Sequence, residues 1–498
     1  MGILGRVYKD SLSLLTDLYQ LTMAYAHWKA GTDRREAVFH LFFRKPPFGS
    51  GFTVACGLEL AIEYIESLRF PEGDLEYLAS LQGNDGAPLF EKGFLDSLRN
   101  LSFCCNVDAV PEGTVVFPRE PMLRVTGPII IGQLLETPLL NLVNFQTLIA
   151  TKAARIRLAA GGDHVSEFGL RRAQGIDGAL AAARAAWVGG CDSTSNVLAG
   201  KLFGIPVRGT HAHSWILSFD SEQEAFETYA AALPNNCVFL VDTYNSLEGV
   251  RRAVDVGRKL RESGHEMVGV RLDSGDLAYL SKETRKILDE AGFPKAAIVA
   301  SNELDENIIT SLKQQGATID FWGVGTRLVT GHGDPALGGV YKLSAVREPG
   351  GEWDYRVKLS EQAAKTTNPG LQQVRRFSTD GEFIGDLIYD ELKGIPDEPV
   401  MVDPLDLTRR KVMHQGTPWE DLLVPIFRQG QRVYDPPPLA DVRQRVRDQL
   451  AGFHQGVKRF ANPHQYPVGM ELGYFDLKTR LILEARGLEP SAAAHTST

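Results

Sequence analysis

Between residues 200 and 330 one pattern recurs along the chain: a short apolar run, a polar or glycine-containing turn, and a longer segment with helical spacing. The apolar runs show little alternation, which is typical of strands that are covered on both faces. They end near residues 209, 242, 272, 301 and 323, so successive ends lie 33, 30, 29 and 22 residues apart. That spacing is the length of one strand, one loop and one helix. It predicts parallel strands over 205–208, 237–241, 267–270, 297–300 and 319–322.

The segments between these strands carry signals for helix ends. Gly264, Gly292 and Gly316 stand where a helix would end in a left-handed residue, and Ser246 and Asp305 are predicted to cap helix N-termini. This half of the chain is therefore predicted to be parallel α/β, either a barrel or an open sheet. In both architectures the carboxyl ends of the strands carry the chemistry.

The two ends of the chain show other patterns. Helices are predicted over 14–29 and 58–68, and strands over 37–44 and 114–125, which together indicate an α+β domain. The apolar stretch 129–150 is interrupted by Glu136, Pro138, Asn141, Asn144 and Gln146, so it is predicted to be a buried helix rather than a membrane span. After residue 345 the pattern becomes irregular, with a last helical segment predicted over 439–460.

Composition narrows the classes of protein. The 498 residues are 43% hydrophobic and 23% charged, and the net charge is 53 − 62 = −9. These values exclude a disordered or collagenous chain and argue against binding to nucleic acid or to an anionic membrane. The five cysteines are odd in number and have no CxxC spacing, which favours a reducing, cytoplasmic location.

The familiar nucleotide and zinc motifs are absent. The sequence contains no Walker phosphate loop, no glycine-rich dinucleotide fingerprint after a strand, and no paired zinc-ligand spacing. A bound nucleotide would have to be held in another way.

The predicted strand ends carry the residues with chemical potential. His211 and His213 follow the first strand, and Asp242 follows the second. The histidines are interpreted in three ways: as a metal-binding pair of a barrel hydrolase, as one catalytic histidine with a structural neighbour, or as two loop residues. A hydrolase would need further histidines at later strand ends, and none occurs there. Asp242 is a candidate for orienting a histidine.

Two further segments are suited to a phosphorylated sugar and a flat ring. Arg271 can grip a phosphate in a bidentate fork, while Asp273 can hold ribose hydroxyls or Mg²⁺; Asp276 is either a third site residue or a helix cap. The turn 323–326 offers backbone N–H groups, and the segment 166–172 joins an aromatic side chain to two arginines. Each of these segments also has a purely structural explanation.

Six segments, in this order, resemble the nicotinate phosphoribosyltransferase family. They read LLTDLYQLTM (14–23), FRKPPFGSGF (43–52), EFGLRRAQG (167–175), GTHAHS (209–214), VRLDSGDL (270–277) and GVGT (323–326). The resemblance continues through 338–343 and 462–466, so it covers nearly the whole chain.

The resemblance implies a reaction and an architecture. Nicotinate and phosphoribosyl pyrophosphate would give nicotinate mononucleotide and pyrophosphate, with ATP as co-substrate and Mg²⁺ as cofactor. The fold would be the type II phosphoribosyltransferase fold: an irregular, TIM-like α/β barrel over 131–345, with an α+β domain built from 1–130 and from a C-terminal segment, 346–498, packed on it. The protein would be a cytoplasmic homodimer with shared active sites.

The resemblance also implies roles for individual residues. His213 matches the histidine that ATP phosphorylates, Asp242 the acid that orients it, and Asp273 the carboxylate for ribose or Mg²⁺. Phe168 and the partner subunit's Tyr19 match the pair that sandwiches the pyridine ring, and Thr210 and Arg271 match contacts to nicotinate. Arg171 matches a basic residue near the base and the phosphate, and Gly325 and Thr326 match the 5′-phosphate site. His211 departs from the family pattern and receives no catalytic role.

Two related enzymes are alternatives. Nicotinamide phosphoribosyltransferase shares the architecture and the histidine, and the hydroxyl-rich segment 191–196 favours nicotinate over nicotinamide. Quinolinate phosphoribosyltransferase is a shorter chain that would need a denser basic cluster. A barrel that binds nucleotides without turnover is the non-enzymatic alternative.

Overall fold

The computed structural model describes residues 11–360 and 366–488; the outer ends of the first and last predicted domains lie outside these ranges. The chain forms two compact units. One comprises residues 1–147 together with 336–498, and the other comprises residues 148–335. The first unit is therefore built from both ends of the chain.

A six-stranded parallel sheet forms the centre of the 148–335 unit. Its strands, in chain order, are β1 (His164–Glu167), β2 (Ser193–Thr194), β3 (Val238–Leu240), β4 (Gly269–Leu272), β5 (Ala297–Ala300) and β6 (Phe321–Val324). They lie side by side in the order β2-β1-β6-β5-β4-β3. The helices of this unit are Gly175–Gly189, Val197–Phe203, His213–Ile216, Glu222–Ala232, Ser246–Glu262, Leu277–Glu290, Glu306–Gln314 and Thr326–Val329. The parallel α/β prediction is confirmed.

The predicted strands are found with two corrections. Those at 267–270 and 319–322 lie two residues further along the chain, and the run 205–208 forms only one isolated bridge, between Val207 and Thr194. Gly264, Gly292 and Gly316 all have positive φ values, of 83°, 84° and 76°. Because their left-handed conformation suits glycine, they end helices as expected.

Backbone pairing does not close the sheet into a barrel anywhere in the described residues. The irregular, TIM-like barrel that was expected over 131–345 is therefore not confirmed. At the β2 edge of the sheet, Val207 forms a single isolated bridge with Thr194. At the opposite edge the backbone N–H of Leu240 in β3 donates to the ring Nε2 of His211, at 3.2 Å. A side chain thus provides the acceptor that a seventh strand would have provided.

The other unit contains two larger sheets. The seven-stranded sheet has the strand order Asp354–Tyr355, Gly339–Arg347, Glu36–Phe43, Leu123–Pro128, Asn106–Ala109, Val424–Arg428 and Gln431–Arg432. The six-stranded sheet has the order Asp406–Val412, Val400–Asp403, Val468–Glu471, Glu382–Asp390, Gln372–Thr379 and Trp419–Asp421, and a two-stranded pair joins Thr53–Val54 to Val115–Val116. Strands from both chain ends share the first sheet.

The helices of this unit are Leu18–Ala30, Leu58–Ser67, Glu72–Ser80, Lys92–Arg99, Ile129–Leu134, Leu439–Ala451 and Leu472–Ala485, and the helix Glu136–Ala160 spans the boundary at residue 147. Short 3₁₀ turns occupy Pro47–Gly49, Leu170–Arg172 and Gln455–Lys458. No helix in the described ranges combines the length and the apolar character needed to cross a bilayer.

Three sequence predictions for this unit need correction. The predicted helix 14–29 begins at Leu18, and the predicted strand 114–125 is two strands separated by a turn. Arg119 in that turn has a φ of 75°, which a continuous strand cannot contain. The region after residue 345 contains an ordered six-stranded sheet rather than irregular chain, and this sheet is antiparallel except for the parallel pair of Glu382–Asp390 with Val468–Glu471.

A buried charge cluster stabilises the 148–335 unit. The carboxylate of Glu306 is almost fully buried and lies 2.9 Å from both Lys152 Nζ and Arg155 Nε. Removing one member of such a cluster leaves uncompensated charge in a medium of low polarity.

We therefore expect Glu306→Ala to lower the free energy of unfolding by about 3–5 kcal/mol. As a control, Asp255→Ala removes a carboxylate that is 58% exposed and paired with Arg258, and it should change stability by less than about 1 kcal/mol. Urea unfolding followed by circular dichroism measures both. Equal, small effects of the two substitutions would contradict the assignment.

Candidate active site

The carboxyl ends of the parallel strands bring polar side chains to one edge of the sheet. Asp242 lies just after β3, Asp273 after β4 and Ser301 after β5, while Phe168 follows β1. Parallel strands all point the same way, so residues distant in sequence meet at this edge. This clustering was predicted from the spacing of the apolar runs.

Arg271 organises the centre of this edge. Its Nε donates to Ser301 Oγ at 2.8 Å, its Nη1 to Thr210 Oγ1 at 3.0 Å and its Nη2 to Asp273 Oδ1 at 3.0 Å. The planar guanidinium therefore holds three separate chain segments in a fixed geometry. Its central carbon lies 5.8 Å from the centre of the Phe168 ring.

Asp273 is held as a carboxylate. Burial acts to raise the pKa of Asp273, but the hydrogen bond from Ser301 and the positive charge of Arg271 outweigh burial and lower it. Ser301 Oγ also donates to the same oxygen, Oδ1, that Arg271 contacts. The other oxygen, Oδ2, is on the side of His213.

Asp242 links the two central loops. Its Oδ2 accepts hydrogen bonds from the backbone N–H of Asp273 at 2.9 Å and from Ser274 Oγ at 2.6 Å. Its Oδ1 is buried without a hydrogen-bond partner in the described residues and lies 3.9 Å from His213 Nε2. A buried, unsatisfied carboxylate oxygen is energetically costly, so it marks a place for a donor or a cation.

The His213 imidazole is partly exposed, with 41% of its side chain accessible. Its Nε2 faces two carboxylates, at 3.9 Å from Asp242 Oδ1 and 3.8 Å from Asp273 Oδ2. Its Nδ1 lies 3.1 Å from the hydroxyl of Thr243. The ring thus has different environments on its two nitrogens.

His211 has a different environment from His213. Its ring is buried against Phe226, Tyr229 and Phe239, and burial is the main reason that its pKa is lowered to about 4. Its Nε2 is occupied by the backbone N–H of Leu240. The two ring Nε2 atoms have different partners, and no group of three or more metal-binding side chains is found across the described ranges. The metal-pair interpretation is therefore not supported.

The Phe168 ring packs directly on Gly323 in β6. A Cβ atom at position 323 would stand 2.6 Å from Phe168 Cδ2 and one at 325 would stand 3.1 Å from the Phe168 carbonyl oxygen. Both glycines of the 323–326 turn therefore allow close approach of the Phe168 segment. Gly325 precedes a helix of only four residues, Thr326–Val329.

Other predicted site residues have simpler environments. Asp276 caps the helix Leu277–Glu290, because its Oδ1 accepts from the N–H groups of Ala278 and Tyr279, so its structural interpretation is correct. Arg171 is solvent-exposed on the 3₁₀ turn after Phe168. Tyr19 belongs to the other unit, where it lies 48% exposed at the start of the helix Leu18–Ala30.

Comparison with known proteins identifies the family. Family models described as the nicotinate phosphoribosyltransferase N-terminal domain, the family itself and the C-terminal domain match residues 14–144, 164–352 and 372–478. A nicotinate phosphoribosyltransferase of Bacillus subtilis is 44% identical over 484 residues, covering 96% of each chain. The chain belongs to the nicotinate phosphoribosyltransferase family.

Other members agree in sequence and in fold. A human nicotinate phosphoribosyltransferase is 37% identical over 521 residues, with 91% of this chain and 94% of that protein covered. The crystal structure of the human nicotinic acid phosphoribosyltransferase superposes with a TM-score of 0.81 at 34% identity, covering 94% of this chain and 99% of that one. A nicotinate-nucleotide pyrophosphorylase from Pyrococcus furiosus shares the fold, with a TM-score of 0.67 at 22% identity over 89% of this chain and 97% of that one.

Sequence reasoning missed the hydroxyl groups that complete the cluster. Ser301, Thr243 and Ser274 each contact one of the charged or imidazole side chains described above. Each of these residues directly follows a strand end or an acidic residue at a strand end, and this position in the sequence could have identified them. Conversely, the hydroxyls of Ser193 and Thr194 bind Ser166 and Glu167, so they are engaged within the fold and do not bear on the choice between nicotinate and nicotinamide.

We expect Ser301→Ala to raise the pKa of Asp273, because the hydroxyl donates to its carboxylate. A carboxyl group whose folded-state pKa is lowered stabilises the fold above its unfolded pKa of about 3.9, and this stabilisation is lost as the pH falls through the folded value. The variant should therefore lose about 1–2 kcal/mol at pH 7, and the difference from wild type should shrink in acid.

Urea unfolding at pH 7 and at about pH 3, below the unfolded pKa of about 3.9, measures this difference. Ser218→Ala, which removes an exposed hydroxyl bonded to the Trp215 carbonyl, is the matched control and should have little effect at either pH. A Ser301→Ala effect that is the same at both pH values would show that the hydroxyl does not act through the Asp273 carboxylate.

Proposed function

We propose that this chain transfers the phosphoribosyl group from phosphoribosyl pyrophosphate to nicotinate, coupled to ATP hydrolysis through phosphorylation of His213. The observation that carries the proposal is the placement of one accessible imidazole, two carboxylates, a guanidinium and an aromatic ring at one sheet edge. Family membership supports nicotinate and phosphoribosyl pyrophosphate as the substrates, and the geometry supports the residue roles proposed below.

The two carboxylates favour a proton on Nε2 of His213, because both lie on that side of the ring. The lone pair then resides on Nδ1, which lies beside the Thr243 hydroxyl. In this proposal Nδ1 attacks the γ-phosphorus of ATP, the bond to the bridging oxygen breaks and ADP leaves. Phosphorylation adds about 1.5–2 negative charges beside the sugar site, which we propose orders the loops around phosphoribosyl pyrophosphate.

Transfer itself needs positioning more than acid–base chemistry. The pyridine nitrogen carries no proton, so it attacks the anomeric carbon directly as pyrophosphate leaves. Phe168 would stack on the pyridine ring, with Thr210 and Arg271 near its carboxylate. Arg171 would lie near base and phosphate, and the backbone of Gly325 and Thr326 would receive the 5′-phosphate.

The acidic side chains fit a magnesium ion. The unpartnered Asp242 Oδ1 and the Oδ2 of Asp273 are hard oxygen ligands on the same side of the cluster, and Mg²⁺ is commonly held by one or two carboxylates together with substrate phosphates. When bound, the ion would neutralise charge on the pyrophosphate leaving group.

We further propose a homodimer in which Tyr19 of one subunit completes the ring-binding site of the other. The support is the family's pattern together with the 48% exposure of the Tyr19 ring at the start of its helix. An exposed aromatic ring is suited to stacking on a flat ligand.

We expect His213→Ala to abolish ATP hydrolysis that is coupled to product formation and to leave slow basal transfer, because the other substrate contacts stay in place. With nicotinate as the substrate, the release of nicotinate mononucleotide and of phosphate from ATP is measured in the same assay. Parallel assays use nicotinamide as the substrate. Wild type should use nicotinate in strong preference.

His211→Asn is the matched control for position 213, because it removes an imidazole that faces the buried aromatic rings. It should keep the ratio of ATP hydrolysed to product formed, even where stability falls. Coupled hydrolysis by His213→Ala, or preferred use of nicotinamide by wild type, would contradict the proposed function.

Mixing two inactive variants tests the shared site. Tyr19→Ala and His213→Ala should each lose coupled activity, whereas a mixture that exchanges subunits should recover about a quarter of it. Half of the randomly formed dimers would be heterodimers, each with one intact site. Recovery is measured after unfolding and refolding the two variants together. Absence of recovery, with heterodimers present by mass spectrometry, would place Tyr19 in its own subunit's site.

A further inference from the structure

The segment that leads into the proposed phosphorylation site is held by side chains rather than by backbone pairing. Residues 209–211 form no backbone–backbone hydrogen bond within the described part of the chain. The Thr210 hydroxyl instead accepts a hydrogen bond from Arg271 Nη1 at 3.0 Å, and His211 Nε2 accepts one from the backbone N–H of Leu240 at 3.2 Å. Because no strand ladder fixes this segment, these two contacts determine where the next residues of the chain stand.

The end of β3 and the turn that follows it contact both histidines. Leu240 in β3 donates to His211. Two and three residues further along, Asp242 Oδ1 lies 3.9 Å from His213 Nε2, and Thr243 Oγ1 lies 3.1 Å from His213 Nδ1. Two short stretches of chain are therefore joined at two separate points. Two points of contact fix the orientation of one stretch relative to the other, whereas a single contact leaves it free to pivot.

The His211 ring is suited to being a fixed acceptor. Burial is the main reason that the pKa of His211 is lowered to about 4, so the ring is uncharged at pH 7 and its Nε2 offers a lone pair to the N–H of Leu240. Its ring centre lies 6.0 Å from that of Phe226 and 5.0 Å from that of Tyr229, and the residue is only 7% exposed. Close packing of this kind leaves the side chain few other rotamers.

We infer that His211 is a positioning residue for phosphoryl transfer, which holds the segment carrying His213 against the strand that leads to Asp242. This inference rests on the phosphorylation proposed for His213. The His211 ring does not itself take up the phosphoryl group, because it is buried and its Nε2 is occupied. It fixes the imidazole two residues later in a geometry from which attack can occur, and such supporting contacts contribute to rate through orientation.

The test compares two substitutions that separate the ring from its acceptor. His211→Phe keeps an aromatic ring among its aromatic neighbours and removes the acceptor for the Leu240 N–H. His211→Gln removes the ring and keeps an acceptor at the end of the side chain. Each full-length protein is mixed with Mg²⁺ and ATP labelled at the γ-phosphate and quenched in base, and the rate of labelling at His213 is measured. The values of kcat and of KM for nicotinate are measured alongside.

We expect His211→Phe to lower the labelling rate and kcat by about tenfold or more, because misplacing a reacting group by about 1 Å can cost about a hundredfold in rate. The KM for nicotinate should change by less than about threefold, since Thr210 and Arg271 keep their mutual hydrogen bond. His211→Gln should restore labelling to within about threefold of wild type. ATP hydrolysis should stay coupled to product formation in both variants, because His213 still accepts the phosphoryl group.

Phe226→Leu is the matched control, because it loosens the packing on the His211 ring and keeps the acceptor. It should leave the labelling rate within about twofold of wild type. All variants are assayed well below their unfolding temperatures, so that loss of stability alone does not slow labelling. His211→Leu serves as the acceptor-free variant where His211→Phe does not fold.

The outcomes separate this inference from the proposed function. Labelling of wild type together with an equal rate in His211→Phe would overturn the inference alone. Equal losses in the phenylalanine and glutamine variants, or failure of both acceptor-free variants to fold, would show that the role of His211 is structural and would overturn it as well. A wild-type protein that is not labelled at His213 would overturn the proposed function and the inference with it.

Discussion

The carboxylate of Asp242 is the constraint on which the candidate site depends. One of its oxygens fixes the turn after β4 through the Asp273 N–H and the Ser274 hydroxyl, and the other is buried and faces His213. Keeping a carboxylate in such a position costs free energy unless donors or cations surround it. The hydrogen bonds from the Asp273 N–H and the Ser274 hydroxyl offset part of this cost. The same group defines where the Asp273 side chain and the imidazole stand relative to one another. Pre-organised charge of this kind is what a phosphoryl-transfer site requires.

The parallel sheet makes this arrangement natural. Each strand delivers its following residues to one edge, so Asp242, Asp273 and Ser301 meet although they are about 30 residues apart in sequence. Arg271 then connects Thr210, Asp273 and Ser301 through one planar group. The close packing of Phe168 on Gly323 leaves the ring at the same edge. Short loops on a rigid sheet hold such side chains more precisely than long loops would.

The sequence predicted the parallel sheet well, because buried parallel strands appear as apolar runs at a regular spacing. The sequence did not show that the parallel sheet stays open. Closure of the sheet into a barrel would require residues 205–208 to pair with β3, and the His211 side chain makes the contact with β3 instead. The mixed sheet after residue 345 was missed because its strand Gln372–Thr379 buries arginines. Arg376 is fully buried with Asp386, and Arg375 pairs with Asp421 on another strand. Such partners cannot be identified before the strands are paired, and the same reason hid the role of Ser301.

The most direct measurement is the identification of the phosphorylated residue. The full-length protein is incubated with Mg²⁺ and ATP labelled at the γ-phosphate, quenched in base, and analysed by peptide mapping and ³¹P NMR. The account predicts a phosphoramidate that is stable in base and labile in acid, on His213 and on its Nδ1 atom. Label on any other residue, acid-stable label, or an unlabelled protein that still couples ATP hydrolysis to transfer would contradict it.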